Sequence, residues 1–304
     1  MNIAVSGATG LIGRALCRSL AEQGHAVSAL VRNAARAGQV LPSIGVTLVE
    51  WDPLVAGAWE EAVGRADAVV NLSGESVAGH RWSADYKQRI RSSRLDTTRA
   101  IVRARADTGA AGGLLINASA VGYYGDRGDA ALTEEDAPGQ DFLAQLCVHW
   151  EGEALACREM DTRVVLLRLG MVLSKDGGAL QKLVQPFRWF VGGPLGRGRQ
   201  WVSWIHIADV VGMVHWALTN PEVDGAVNTC APNPVRMRDF ATALGIVLKR
   251  PSLFAVPSSA LRIIVGEMAD MLLSSQRAIP QAALNGGYEW RYRFLEPALH
   301  STVG

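Results

Sequence analysis

Short runs of aliphatic and β-branched residues alternate with longer amphipathic stretches through the first half of the chain. That rhythm is the one a parallel α/β sheet requires. Asn2–Ser6 (NIAVS), Ala26–Val31, Val46–Glu50, Ala68–Leu72 (AVVNL), Leu114–Ala118 (LLINA) and Val164–Leu169 (VVLLRL) predict six strands. Their apolar runs are continuous rather than alternating, so both faces of the sheet are covered. Leu11–Gln23 predicts the first crossover helix, with Gly24 as its C-terminal stop. Right-handed crossovers then give an α/β fold with a Rossmann-like, doubly wound parallel sheet, whose ligands lie at the carboxyl ends of the strands.

The pattern changes after Leu173. Gly177–Gly198 is rich in glycine and brackets an apolar aromatic segment, Phe187–Val191, which reads as a substrate-side insertion rather than a sheet element. Ile205–Leu218 returns to a strand-like start and an amphipathic helix, and Ala226–Thr229 is a further short strand. From Pro232 on, helical patterns are broken by Pro251, Pro257 and Pro280. The division this suggests is a Rossmann-like domain of residues 1–173 plus 205–229, and a smaller substrate-side lobe of 174–204 plus 230–304.

Between the first strand and the first helix stands Gly7-Ala-Thr-Gly10-Leu-Ile-Gly13. Strand, glycine triplet and helix form the context of a dinucleotide fingerprint. The first glycine permits the tight turn and the second lets backbone N–H groups approach a pyrophosphate. The third allows the helix to pack closely on the strand, and the helix dipole favours the anion. Gly7, Thr9, Gly10, Leu11, Ile12 and Gly13 are the expected cofactor-binding residues of this turn. A site selective for NAD places a carboxylate after the second strand, but Arg32 stands there. A guanidinium at that point can grip a 2′-phosphate with a forked hydrogen-bond pair, so NADP(H) is preferred over NAD(H); a solvated strand-end arginine is the plain alternative. Asp52, after the third strand, either reaches the adenine amino group or serves a turn before Pro53. Leu72, Ser73 and Gly74 end the fourth strand, where small residues let a ribose lie against the backbone.

The turn GATGLIG, the strand end NLSGE (71–75) and the segment NASAVGYYGD (117–126) together resemble the extended short-chain dehydrogenase/reductases. More closely, the chain resembles their atypical branch, the NAD-dependent epimerase/dehydratase or "epimerase family" proteins. The resemblance is carried by Gly79-His-Arg-Trp82, Ser93-Arg94-Leu95, Trp150-Glu151, Gly192-Gly-Pro-Leu-Gly196, Ser203-Trp-Ile-His206, Gln281–Gly287 and Tyr288-Glu-Trp. It implies a Rossmann-like domain, NADP(H) binding, a smaller substrate-side lobe and an unassigned small organic substrate. Homodimers are common in such folds.

The chemistry implied by the wider family uses four groups: a Ser/Thr hydroxyl, a Tyr acid/base, a Lys four residues later, and an Asn. A phenol with an unperturbed pKa of about 10 is a poor base at neutral pH without such a cation. Counted from Tyr124-Gly125, the hydroxyl position falls on Ala120, beside Ser119. The Tyr and Lys positions fall on Leu146 and Trp150, and the Asn position on Arg94. No Tyr in the chain has a Lys four residues on. The usual tetrad is absent, which leaves two readings: an NADP(H)-dependent oxidoreductase or epimerase-like enzyme with substitute groups, or a non-catalytic NADP(H)-binding redox sensor or regulatory interaction protein.

Tyr123, Tyr124 and Ser119 are the candidate catalytic substitutes, set against aromatic packing for the tyrosines and a backbone cap for the serine. Lys87, Arg91 and Arg94 share one helical face, which either binds an anion or is simply solvated; Arg94 is carried as a cofactor-binding candidate. Glu75 either contacts substrate or pairs with Arg81. His206 is a candidate acid or, more in keeping with its place at a helix start, a cap, and His149 is a candidate pocket-lining residue. Trp82, Trp150, Trp189, Trp201 and Trp204 suggest a large apolar cavity or plain core packing.

Composition narrows the field. With 49% hydrophobic and 19% charged residues the chain is globular. A net charge of +1 offers no broad basic face, so no nucleic acid is expected. The six histidines show no metal-ligand spacing, and Cys17, Cys147, Cys157 and Cys230 form no CxxC pair, so no metal site and no disulfide framework are expected. The apolar N-terminus lacks a basic leader and is broken by glycines, and Ala260–Leu273 carries Arg262, Glu267 and Asp270. A cytoplasmic protein without a membrane partner is the resulting expectation.

Overall fold

A computed structural model describes residues 1–109 and 112–304. Seven parallel strands form the central sheet: β1 (Asn2–Ser6), β2 (Ala26–Val31), β3 (Val46–Glu50), β4 (Ala68–Asn71), β5 (Leu114–Ala120), β7 (Arg163–Leu169) and β11 (Gly225–Thr229). Their spatial order is β11-β7-β5-β4-β1-β2-β3, so the chain reverses direction between β1 and β4. Such a reversal opens a crevice at the carboxyl edge of the sheet. β5 runs two residues beyond the sequence expectation, because Ser119 and Ala120 keep pairing with Arg168 and Leu169 of β7.

The strands are apolar on both faces for a visible reason. Ile3, Val5, Val70, Ile116, Val165 and Leu167 enter one core, under α1 (Leu11–Glu22) and α7 (Ile207–Thr219). Ala4, Val69, Leu115, Val164 and Leu166 point to the other, which also holds Trp59 and Ile101. Those two residues come from α3 (Ala58–Gly64) and α4 (Ala84–Asp107), beyond the short α2 (Ala34–Ala37). α5 (Phe142–Leu155) packs beside α4 on the same side, and adds Ala154.

The predicted insertion contains a helix, α6 (Ala179–Arg188). With α8 (Met237–Leu248) and α12 (Leu295–Val303) it surrounds a separate core of Leu180, Val184, Phe187, Trp204, Phe240 and Leu299. Three short strand pairs escape sequence periodicity because each has only two or three residues: β6 (Ala131–Leu132) with β13 (Arg277–Ala278), β8 (Met171–Leu173) with β10 (Trp204–His206), and β9 (Trp201–Val202) with β12 (Val235–Arg236). α9 (Ser258–Val265), α10 (Met268–Leu273) and α11 (Gln281–Asn285) complete the chain. No helix of the described residues is long and apolar enough to cross a membrane.

Candidate functional site

The glycine-rich turn is built so that two of its glycines admit no other residue. Gly7 adopts φ +66°, and a Cβ there would lie 2.6 Å from the Leu72 carbonyl oxygen. A Cβ on Gly13 would stand 2.2 Å from the Gly7 oxygen, so α1 packs directly on the turn. Gly10, with its N–H on the Gly7 carbonyl at 2.9 Å, and Thr9 are exposed at the mouth of the crevice; Leu11 and Ile12 are half-buried in the first turn of α1. The loop after β8 closes over this point: a Cβ on Gly178 would touch the Leu11 side chain at 3.0 Å.

Arg32 is exposed at the end of β2 and makes no ion pair within the described residues. Next to it, Asn33 caps α2 by accepting from the Arg36 N–H. Asp52 takes the turn role of its two readings, accepting from the Leu54 N–H at 2.9 Å. Leu72 and Ser73 are half-buried, and Gly74 is exposed beyond β4.

Under the crevice lies a polar network that sequence reasoning missed. Buried Ser6 donates to Asn71 Oδ1 at 2.6 Å, and Asn71 Nδ2 donates to Asn117 Oδ1 at 2.7 Å and to Thr98 Oγ1 at 2.9 Å. Trp150 Nε1 also donates to Thr98, at 3.0 Å. These bonds tie the ends of β1, β4 and β5 to α4 and α5. The signal was present as an asparagine in each otherwise apolar strand end, NLSG and NASA.

A second network occupies the ends of β5 and β7. Arg168 grips Glu151 with two bonds of 2.9 Å, and Ser119 Oγ donates to the same carboxylate at 2.6 Å. Tyr124 accepts from Arg168 at 3.0 Å and donates to Asn228 at 2.7 Å. Arg168 and Glu151 are both buried. Burial alone would lower the Arg168 pKa, but the hydrogen bonds and charge of Glu151 reverse that and hold the cation firmly. Burial lifts the Tyr124 phenol well above its usual range, more than Arg168 and Asn228 lower it. The Tyr124 hydroxyl is thus taken up on both sides, by Asn228 and by Arg168. Ser119 spends its proton in the same network. Tyr123 differs: it is half-buried, its ring lies 3.5 Å beneath the Arg168 guanidinium, and its hydroxyl has no partner among the described residues.

The positions counted onto α5 from Tyr124 face elsewhere. Leu146 faces Tyr86 and Ile90, and Trp150 packs on Leu95 and Ala118. The residues of α5 that meet Ser119, Ala120 and the turn after them are Glu151, Cys147 and Leu143. A Cβ on Gly122 would lie 3.6 Å from Leu143, and Cys147 Sγ lies 3.9 Å from the Ala120 oxygen. Neither register supplies a tyrosine or a lysine, and burial, helped by Glu151, pushes the Cys147 thiol up to about 11.

The cation near this point comes from α4. The half-buried Arg94 guanidinium stacks 5.1 Å from the Trp150 ring centroid and donates to its own helix at the Ile90 oxygen, 2.9 Å away. A Cβ on Gly74 would be 3.0 Å from its Cζ, so the loop after β4 runs directly over it. Burial pulls the Arg94 pKa down, and no carboxylate forms an ion pair with it among the described residues.

The remaining candidates separate. His206 caps α7, accepting from the Ala208 N–H at 3.1 Å, and burial and then Arg291 lower its pKa to about 4, so it is neutral at neutral pH. His149 is exposed and bonds its own helix at the Gln145 oxygen, which removes it from any pocket. Glu75 is exposed and unpaired with Arg81, whose side chain lies beside Gly266. Lys87 pairs with Glu267, joining α4 to the α9–α10 turn, and Lys182 donates to the Ala78 oxygen at 2.5 Å from α6. The five tryptophans line no common cavity: Trp150 and Trp204 are buried in different cores, and Trp189 is exposed. No metal-ligand group of three His, Cys, Asp or Glu occurs among the described residues.

Comparison with known proteins agrees with this architecture. The family described as "NAD dependent epimerase/dehydratase family" matches residues 3–230, and a domain of unknown function, DUF1731, matches residues 256–302. The "Epimerase family protein SDR39U1 homolog, chloroplastic" of Arabidopsis thaliana is 40% identical over 308 residues, covering 100% of this chain and 87% of that protein. The crystal structure of human epimerase family protein SDR39U1 (isoform 2) with NADPH is 31% identical, with a TM-score of 0.85 over 99% of both chains. MoeE5 in complex with UDP-glucuronic acid and NAD, 20% identical with a TM-score of 0.79 over 99% of this chain and 97% of its own, shares the fold. The chain belongs to the NAD dependent epimerase/dehydratase family.

Proposed function

We propose that this protein binds NADP(H) in preference to NAD(H) and acts as an oxidoreductase or epimerase-like enzyme on a small organic substrate, with an active site other than the Ser-Tyr-Lys-Asn tetrad. The observation that carries the reading is the turn at Gly7 and Gly13, which leaves room for no Cβ at the helix end facing the crevice. Gly7, Thr9, Gly10, Leu11, Ile12 and Gly13 would hold the pyrophosphate; Arg32 would hold the 2′-phosphate. Leu72, Ser73 and Gly74 would bed the nicotinamide ribose, and Arg94 would donate to its hydroxyls. Asp52, whose carboxylate is already used in its turn, would contribute through the backbone beside the adenine.

When bound, the nicotinamide supplies or accepts hydride. The chain contributes position and proton transfer. Tyr123 is the preferred donor because its hydroxyl is unspent, with the Arg168 guanidinium over its ring. Ser119 and Tyr124 would set the floor beneath it through Glu151 and Asn228. Human SDR39U1, crystallised with NADPH, supports the choice of cofactor.

The commitment of Ser119 and Tyr124 to a dry network favours a second reading, a non-catalytic NADP(H) sensor. Two measurements separate them. Calorimetric titration with NADPH and NADH should show tighter binding of NADPH. Stopped-flow NADPH oxidation across carbonyl and nucleotide-sugar panels should then find a substrate whose turnover drops in Tyr123→Phe. Tight binding with no turnover on any panel member rejects the enzyme and leaves the sensor; no binding rejects both.

A further inference from the structure

A group of exposed apolar side chains lies far in sequence from the glycine turn. Trp189 and Leu253 are each 78% exposed, and Phe190, Val191 and Phe254 are exposed beside them. Two chain segments build this knob together. The Phe254 N–H donates to the Gly192 oxygen at 3.1 Å, and a Cβ on Gly193 would lie 2.3 Å from the Phe254 oxygen. Leu195 then bridges Val256, so the segments run side by side. Exposed Ile263 and Ile264 follow on α9. Proteins that stay free in solution rarely keep so much apolar surface contiguous.

The charges within the two segments that form the knob are of one sign. Residues 179–200 contain four Lys or Arg and residues 246–266 contain three, with no Asp or Glu in either segment. The whole chain, by contrast, balances 30 basic against 29 acidic residues. Arg250 lies 4.4 Å over the Phe190 ring, and neither it, Arg188 nor Lys249 makes an ion pair among the described residues; Arg262 pairs with Asp270.

We propose that this aromatic knob, with its basic rim, docks on the surface of an anionic phospholipid bilayer. Trp, Phe and Leu side chains settle at the headgroup boundary, and the flanking Arg and Lys draw the surface toward anionic lipid. Such docking lies on the bilayer and needs no spanning helix. A second copy is a poorer occupant. Two identical knobs meeting about a twofold would bring basic rim against basic rim, with no carboxylate in either segment to pair them.

Flotation of the full chain with phosphatidylcholine vesicles, and with vesicles containing about one-third phosphatidylserine, tests this directly. Binding should require phosphatidylserine and weaken as salt rises. The double change Arg188→Glu and Arg250→Glu should lower partitioning about tenfold or more, and Trp189→Ser with Leu253→Ser should abolish it, while melting temperatures stay within a few degrees of wild type. Failure to float with either vesicle, or equal binding to both, overturns the proposal. So does light scattering that shows a wild-type dimer dispersed by Trp189→Ser, since a second copy would then be the occupant.

Discussion

Two arginines flank the carboxyl edge of the sheet and are handled in opposite ways. Arg168 on β7 is buried and meets a bidentate carboxylate, a phenol and a backbone oxygen. Arg94 on α4 is half-buried, lies against Trp150 and beneath Gly74, and among the described residues has only a helix carbonyl as hydrogen-bond partner. A paired buried guanidinium fixes structure, because its charge and most of its donors are met inside the protein. One held without a carboxylate in a crevice bears a desolvation cost that an oxygen-rich ligand can offset. The contrast sets the paired Arg168 side apart from the Arg94 side, where the proposed function places the cofactor.

The largest effect should come from breaking the paired side. Glu151→Gln keeps the shape but leaves Arg168 unmatched, and should cost about 3–5 kcal/mol in urea unfolding. A loss below about 1 kcal/mol would mean that the pair does not hold the β5–β7 edge together. The next effect follows pH. His206 is neutral in the folded protein down to about 4, whereas in the unfolded chain it takes a proton at about 6.5. Stability should therefore be retained above the unfolded value and fall as pH drops from about 6.5 toward 4, by up to about 3 kcal/mol. His206→Asn, which retains a capping acceptor, should flatten that slope relative to wild type; an unchanged slope assigns it to other groups. Smaller still, Arg32→Glu should weaken NADPH binding about tenfold and NADH binding little. Equal losses for the two cofactors would remove Arg32 from the 2′-phosphate.

Much of the sheet was legible because burial on both faces writes itself as unbroken apolar strands. The tight packing at Gly7 and Gly13 was legible because so close a backbone approach leaves no residue but glycine there. The α5 register was not. Counting from Tyr124 across residues 125–141 assumes a loop of fixed length, whereas packing of Gly122 on Leu143 and of Ser119 on Glu151 sets which face turns inward. The Arg168–Glu151 pair was equally hidden, since two charges 17 residues apart reveal nothing of their distance until β7 and α5 are placed. The partners of Tyr124 were hidden in the same way, since only the fold brings Asn228 and Arg168 to its hydroxyl.

The most direct test of the account is titration of wild type and Arg94→Met with NADPH, with unfolding followed in parallel. Removing an unpaired, partly desolvated charge should leave stability within about 1 kcal/mol of wild type, while losing charge-assisted hydrogen bonds should weaken NADPH binding about ten- to a hundredfold. Unchanged affinity in a fully folded variant would contradict the assignment of Arg94, and with it the division of the sheet edge into a structural and a ligand-binding side.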